Sequence, residues 1–319
     1  MNIVMLEPLA VSEDVMNDLT AELKRQGHTF QYCGEKLSEE EKRARIRDAE
    51  VAIIANSPLN ADLLREGRRL KMLDVAFTGV DHVDLACCKE MGLTVCNAAG
   101  YATEATAELA LGLILASLRQ LVLLDQRTRS GQSKGSIMGT ELKGKTVGII
   151  GTGAIGLRVA ELLQPFGCKL VASSHSQRPE ALKLGIEYAS LANVFSKADI
   201  ITLHCPLNES TRGLVSAELI GLMKQNAVLI NCARGPIVDN KALAEALKAQ
   251  KILHAGLDVF DSEPPLPADE TLLKVDPERV TLTPHVAYFT REAMEARAAI
   301  VVQNIVSWLG NYPQNLVLL

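Results

Sequence analysis

Residues 146–156 read TVGIIGTGAIG, and this stretch decides the fold. Val147, Gly148, Ile149 and Ile150 form a small, apolar run of the length of a buried strand, and they pass straight into Gly151-x-Gly153-x-x-Gly156. Leu157, Ala160 and Leu163 come next at helical spacing, which puts the three glycines on a strand-to-helix turn. A dinucleotide-binding turn needs glycine at each place: Gly151 for the tight bend, Gly153 for approach of the backbone to a pyrophosphate, Gly156 for close packing of helix on strand. The helix N-terminus then offers free N–H groups and partial positive charge to the phosphates.

The residues beyond this turn bear on which nucleotide it takes. The next strand signal, residues 169–173, ends where an acidic residue, roughly 20 positions past the first glycine, would hold a ribose 2′-hydroxyl. The chain has Ser174 there, then His175, Ser176, Gln177 and Arg178. A carboxylate repels a 2′-phosphate, whereas hydroxyls, an imidazole and a guanidinium can bind one, Arg178 through a charge-assisted contact. NADP(H) is therefore expected over NAD(H). The alternative is a polar loop whose arginine faces solvent, with NAD held elsewhere.

The 319 residues are enough for two domains with a core each. A hydrophobic share of 48% and a net charge of −5 fit a globular protein and argue against an electrostatic nucleic-acid binder. The longest apolar run, residues 109–118, is too short for a bilayer, and the N-terminus lacks the basic start of a signal peptide. Seven scattered cysteines without a CxxC pair indicate neither a metal site nor a disulfide framework, and point to a reducing cytoplasm.

Outward from the glycine turn, strand and helix signals alternate. Strands are expected at residues 2–6, 50–55, 70–76, 94–97, 199–203, 227–231, 254–259 and 280–282. Helices are expected at 13–26, 61–66, 103–119 and 291–309, the last one amphipathic, and the charged segment 39–47 reads as a solvated helix face. Such βαβ alternation predicts α/β architecture: two doubly wound parallel-sheet domains, a Rossmann nucleotide-binding domain inserted into a flavodoxin-like one. Residues 1–99 and 288–319 are assigned to the substrate domain, and 100–287 to the NAD(P)-binding domain.

Three residues stand at strand ends where open α/β sheets bind ligands. Arg234 comes after the strand ending at Asn231, Glu263 lies in a turn before Pro264, and His285 comes after Thr283-Pro284. Taken singly they read as a surface charge, a Glu-Pro turn and a capped core histidine. Together NCARGPIVD, GLDVFDSEPP and TPHVAY, in this order behind GTGAIG, resemble the D-isomer-specific 2-hydroxyacid dehydrogenases along essentially the whole chain.

That resemblance implies an NAD(P)-dependent oxidoreductase acting on a small 2-keto or 2-hydroxy acid. It makes Arg234 the ligand of the substrate's carboxylate and keto oxygen, His285 the general acid–base, and Glu263 the partner of His285. The chemistry suits these types: adjacent oxygens fit a guanidinium fork, and an imidazole beside a carboxylate can exchange a proton near neutrality. By the same resemblance Gly79 and Val80 hold the substrate carboxylate through their N–H groups, with Asn56 and Ser57 facing the substrate; plain turn chemistry is the alternative at these four positions. Ala154 and Ile155 cover the pyrophosphate, and Thr106, His204, Pro206 and Thr211 line the nucleotide. Cys232 and Asp258 lie near the nicotinamide, Asp258 either accepting from its carboxamide or capping a neighbouring loop. ATEATAELALGL, HVAYFT and Pro313-Gln314-Asn315 are most similar to the glycerate dehydrogenase/hydroxypyruvate reductase branch, which favours hydroxypyruvate or glyoxylate. Tyr288 departs from that branch, where Trp is usual. A homodimer joined through residues 103–119 and the loop after them is also implied. The same fold serves nucleotide-sensing corepressors and formate- or phosphite-oxidising enzymes, and both remain alternatives on the sequence alone.

Overall fold

The computed structural model describes residues 1–262 and 265–319. The chain begins β1 (Asn2–Met5), α1 (Glu13–Arg25), β2 (Thr29–Gln31), α2 (Glu39–Arg47), β3 (Val51–Ile54), α3 (Ala61–Glu66), β4 (Met72–Val75), α4 (Leu85–Glu90) and β5 (Thr94–Asn97). Two helices come after it, α5 (Thr103–Arg119) and α6 (Leu121–Arg129). Next are β6 (Thr146–Ile150), α7 (Ala154–Leu163), β7 (Lys169–Ser173), α8 (Pro179–Lys183), β8 (Glu187–Tyr188), α9 (Leu191–Lys197) and β9 (Ile200–Leu203). The rest is α10 (Ala217–Leu222), β10 (Val228–Asn231), α11 (Asn240–Lys248), β11 (His254–Leu257), β12 (Val280–Leu282) and α12 (Arg291–Leu309).

These elements form two compact units, one of Met1–Ala102 with Phe289–Leu319, the other of Thr103–Tyr288. In the first unit five parallel strands lie in the order β2-β1-β3-β4-β5, the flavodoxin-like winding. The central tetrads VAII of β3 and MLDV of β4 are buried on both faces, as a parallel sheet covered by helices demands. Helix α12 belongs to this unit and buries the stripe Ala293, Met294, Arg297, Ala298, Val301, Val302 and Ile305. Arg297 is only 3% exposed. Its guanidinium donates to the carbonyls of Leu9 (2.8 Å) and Ala76 (3.4 Å) and lies over the ring of Tyr101.

In the second unit seven parallel strands lie in the order β12-β11-β10-β9-β6-β7-β8. Outward from β6, this is a Rossmann sheet lengthened by one strand. Each strand sends alternate residues to opposite cores: Val147, Ile149, Ile200, Val228 and Ile230 to one side, Ile150, Ile201, Leu203 and Leu229 to the other. The expected fold class is therefore the observed one.

Local differences have identifiable causes. The helix behind the glycine turn starts at Ala154, three residues before the first apolar position of the sequence pattern, because Gly153 takes an extended N-cap conformation (φ −72°, ψ −170°). Helix α5 stops at Arg119 because Gln120 enters the left-handed region (φ 53°), and α6 leaves it at 61°. Strands β2 and β8, of three and two residues, are too short to give an alternation signal. Among the described residues no single helix is long and apolar enough to cross a membrane.

Candidate active site

Among the described residues, every candidate of the second unit that comes after a strand does so at the carboxyl edge of the seven-stranded sheet. Along that edge the loops occur in strand order: Thr283–Ala287 after β12, Asp258–Phe260 after β11, Cys232–Arg234 after β10, His204–Pro206 after β9, Gly151–Gly153 after β6 and Ser174–Arg178 after β7. Neighbouring strands lie about 4.8 Å apart, so this row extends roughly 24 Å. The winding reverses between β6 and β9, the switch point at which open sheets of this kind bind ligands.

The turn after β6 suits a pyrophosphate. Gly151 has φ +95°, and a Cβ there would stand 2.9 Å from the His204 carbonyl and the Cys205 amide. A Cβ on Gly156 would overlap the carbonyl of Gly151, which is why α7 can pack so closely. No side chain caps the first turn of α7, whereas Ser12, Ser38 and Thr290 cap α1, α2 and α12. The leading N–H groups around Ala154 and Ile155 thus keep their capacity for an anion.

Next to it, the tip of β7 is exposed from His175 through Ser176 to Arg178, with Ser174 half-buried. On the other flank His204 places its Nε2 2.8 Å from Thr202 Oγ1, and burial pushes this imidazole down to about 4, so it is neutral near pH 7. Thr211 closes its own loop: its hydroxyl donates to the Pro206 carbonyl (2.6 Å) and accepts from the Asn208 N–H (2.8 Å). Thr106 lies in the first turns of α5 and is 5% exposed.

Arg234 is half-buried and braced by its own loop. Asn231 donates from Nδ2 to the Arg234 carbonyl and accepts at Oδ1 from the Ala233 N–H, both at 3.0 Å, while Arg234 Nη1 donates to the Ala233 carbonyl at 2.8 Å. Gly235 is required next because a Cβ there would overlap the backbone of Phe260, so the loops after β10 and β11 touch. Cys232 is 8% exposed, and burial pushes its thiol well up, with the Asp258 charge adding to the effect. Glu263 lies outside the described residues.

His285 has φ +54°, a conformation that costs a non-glycine residue roughly 1–3 kcal/mol. It is held there by Asp258, which is 0% exposed. Asp258 Oδ1 accepts from the Thr283 hydroxyl (2.6 Å) and the Val286 N–H (2.9 Å), and Oδ2 accepts from the Ala287 N–H (2.8 Å). Burial raises the Asp258 carboxyl above its ordinary range, while those three donors and the nearby His285 pull it back. Of the two roles open to Asp258, this geometry displays the loop cap. The His285 ring meets Tyr288 edge-on, with centroids 5.5 Å apart.

The first unit brings its candidates to adjacent loops, Asn56 and Ser57 after β3, Gly79 and Val80 after β4. Asn56 is exposed, and the other three are half-buried. A residue with no motif organises the first loop: the Glu7 carboxylate, 6% exposed, accepts from the N–H groups of Ala55 (2.5 Å) and Ser57 (3.1 Å). Similarly Asn97 Nδ2 donates to the Thr78 carbonyl at 2.8 Å. Both contacts are distant in sequence, and only the strand-end position of Glu7 hinted at its role. Among the described residues no three His, Cys, Asp or Glu side chains gather as a metal ion would require.

A family model described as D-isomer specific 2-hydroxyacid dehydrogenase, NAD binding domain, matches residues 111–287. A glyoxylate reductase of Aeropyrum pernix is 39% identical over 286 residues, 86% of this chain and 84% of that protein. A hydroxypyruvate reductase of Thermotoga maritima is 35% identical over 302 residues, 93% of this chain and 97% of that protein. Among solved structures, an acyclic imino acid reductase in complex with NADPH and D-Arg aligns over 100% of both chains with a TM-score of 0.89 and 29% identity.

Proposed function

Because the chain belongs to the D-isomer-specific 2-hydroxyacid dehydrogenases, oxidoreductases that use a nicotinamide cofactor on a CH–OH group, we propose that it reduces hydroxypyruvate or glyoxylate with NADPH in preference to NADH. The observation that supports the reading is the row of loops along one sheet edge, in which His285, Arg234, the glycine turn after β6 and residues 174–178 follow one another in strand order. The bound cofactor supplies the hydride that reduces C2 of the keto acid. Arg234 binds the substrate's carboxylate and keto oxygen through its planar fork of donors. His285 gives its proton to the keto oxygen in reduction and takes it back in oxidation, with Glu263 as its partner. In the first unit, the substrate domain, Gly79 and Val80 present backbone N–H groups to the carboxylate, beside Asn56 and Ser57.

Ala154 and Ile155 hold the pyrophosphate; Thr106, His204, Pro206 and Thr211 line the nucleotide. Cys232 and Asp258 flank the nicotinamide. Ser174, His175, Ser176 and Arg178 take the 2′-phosphate, for which the absence of a carboxylate at position 174 is the support. We assign the protein to the cytoplasm as a homodimer joined through α5 and the segment after it, where Leu121, Val122 and Met138 are 52%, 42% and 90% exposed. The test is the initial rate of hydroxypyruvate and glyoxylate reduction with NADPH and NADH at equal concentration, in the parent protein and in Arg234→Ala and His285→Ala. Turnover should be faster with NADPH and fall at least a hundredfold in either variant, with cofactor binding retained. Near-parental rates in a variant would remove that residue from the mechanism.

A further inference from the structure

Both ends of the segment Ser174–Arg178 are linked to one residue of the glycine turn, the first directly and the second through Tyr188. Thr152 is 1% exposed and sits between Gly151 and Gly153. Its N–H donates to Ser174 Oγ at 3.4 Å, which ties the start of the segment. Its hydroxyl lies 2.8 Å from the phenol oxygen of Tyr188, and that oxygen accepts from the Arg178 N–H at 3.1 Å, which ties the end. Tyr188 is itself fixed, being paired with Ala172 of β7, with the Ala189 N–H donating to the Ala172 carbonyl at 2.9 Å. The phenol completes a closed circuit: Thr152, Ser174, the loop, Arg178, Tyr188, and back to Thr152.

We propose that Tyr188 is a specificity-determining positioning residue: its hydroxyl fixes the Ser174–Arg178 loop in the shape that receives the 2′-phosphate of NADPH. This rests on the reading of that loop as a phosphate site. The loop is tied at one end through the Ser174 hydroxyl and at the other through the Arg178 backbone N–H, while His175, Ser176 and Arg178 are exposed. A pinned loop has less freedom to lose when the phosphate arrives, so affinity is gained without a further contact. The Arg178 guanidinium pairs with a phosphate only from the right backbone position, because its planar fork is directional. A nucleotide with a free 2′-hydroxyl makes fewer demands on the same loop, so the phenol acts on the difference between the two cofactors. A phenol that merely closed the sheet edge would act on both alike.

The test measures binding of adenosine 2′,5′-bisphosphate and of adenosine 5′-monophosphate to the parent protein, Tyr188→Phe, Thr152→Val and Arg178→Ala, together with KM for NADPH and NADH. The phenylalanine keeps the ring and removes only the hydroxyl, and the valine breaks the same contact from its other side. Tyr188→Phe should weaken the bisphosphate at least fivefold and the monophosphate less than twofold, and the ratio of KM for NADPH to KM for NADH should rise by a similar factor while kcat changes little. Thr152→Val should shift the bisphosphate preference in the same direction. Equal weakening of both nucleotides in Tyr188→Phe would overturn the proposal, as would a bisphosphate preference left intact. A parent protein that binds the two nucleotides alike, with Arg178→Ala silent, would overturn the phosphate reading of the loop and this proposal with it.

Discussion

Asp74 offers a quantitative test of how the first unit is held together. It lies in the middle of β4, 0% exposed, between Ile53 of β3 and Cys96 of β5. Oδ1 accepts from Asn304 Nδ2 of α12 at 3.0 Å, and Oδ2 has no hydrogen-bond partner among the described residues. Burial raises its carboxyl from 3.8 to about 8, with the Asn304 bond opposing. In the unfolded chain the group ionises near 3.8, so between these two values the folded protein holds one more proton than the unfolded one. Stability contributed by this site is therefore full at low pH and declines by about 1.4 kcal/mol per pH unit as pH rises toward 8. Between pH 5 and pH 8 the decline amounts to about 4 kcal/mol. Asp74→Asn keeps the acceptor for Asn304 and abolishes the titration. Its amide N–H groups add a buried-donor cost of about 1–3 kcal/mol, but this offset does not vary with pH. Urea unfolding of the first unit can be followed by fluorescence of Trp308, the single tryptophan, which lies on α12 and donates from Nε1 to Thr94 Oγ1 at 3.1 Å. The stability of Asp74→Asn relative to the parent should climb steadily between pH 5 and 8. Parallel curves over that range would refute the assignment of a proton to buried Asp74.

Three other substitutions probe the site. Asp258→Asn turns an amide donor toward the Ala287 or Val286 N–H and slackens the loop that holds His285, so kcat should fall ten- to hundredfold with KM for the cofactor changed much less; steady-state kinetics decide, and an unchanged kcat would show that His285 needs no such support. Glu7→Gln exchanges one acceptor oxygen for a donor below the Ala55–Ser57 loop; KM for the keto acid should rise severalfold with little change in cofactor binding, and an unaltered KM would detach that loop from substrate binding. Gly235→Ala forces the turn after Asn231 away from Phe260 and should lower kcat/KM at least a hundredfold while the glycine turn after β6 still binds nucleotide, as titration of cofactor fluorescence would reveal; a fully active variant would contradict the close approach.

Much of the fold was readable in the chain because strand-forming tetrads such as VAII and VLIN are buried on both faces and stand out as apolar blocks, each running into a loop that carries candidate residues. The strand-end positions of Arg234 and His285 could be inferred from those blocks alone. Contacts between distant segments were not readable. Glu7 serves a loop 48 and 50 residues away, and Tyr188 serves a turn 36 residues away, so neither carries a local signature. Arg297 was hidden for another reason: it occupies an apolar stripe position, and only the folded chain reveals the two carbonyls and the aromatic ring that accept its charge. The break at Gln120 was equally silent, since a glutamine in the left-handed region announces nothing in sequence.

The order of loops along the seven-stranded sheet also shapes how such a protein can diversify. The loop after β7, which discriminates between cofactors in our reading, and the loop after β12, which carries His285, are separated by four intervening strands, β6, β9, β10 and β11. Substitutions at more than about 7–10 Å usually act independently. On that reading, substitutions at residues 174–178 change the cofactor preference without retuning the loop that carries His285. Selection meets two separate dials on one scaffold, and turning the first leaves the second where it was.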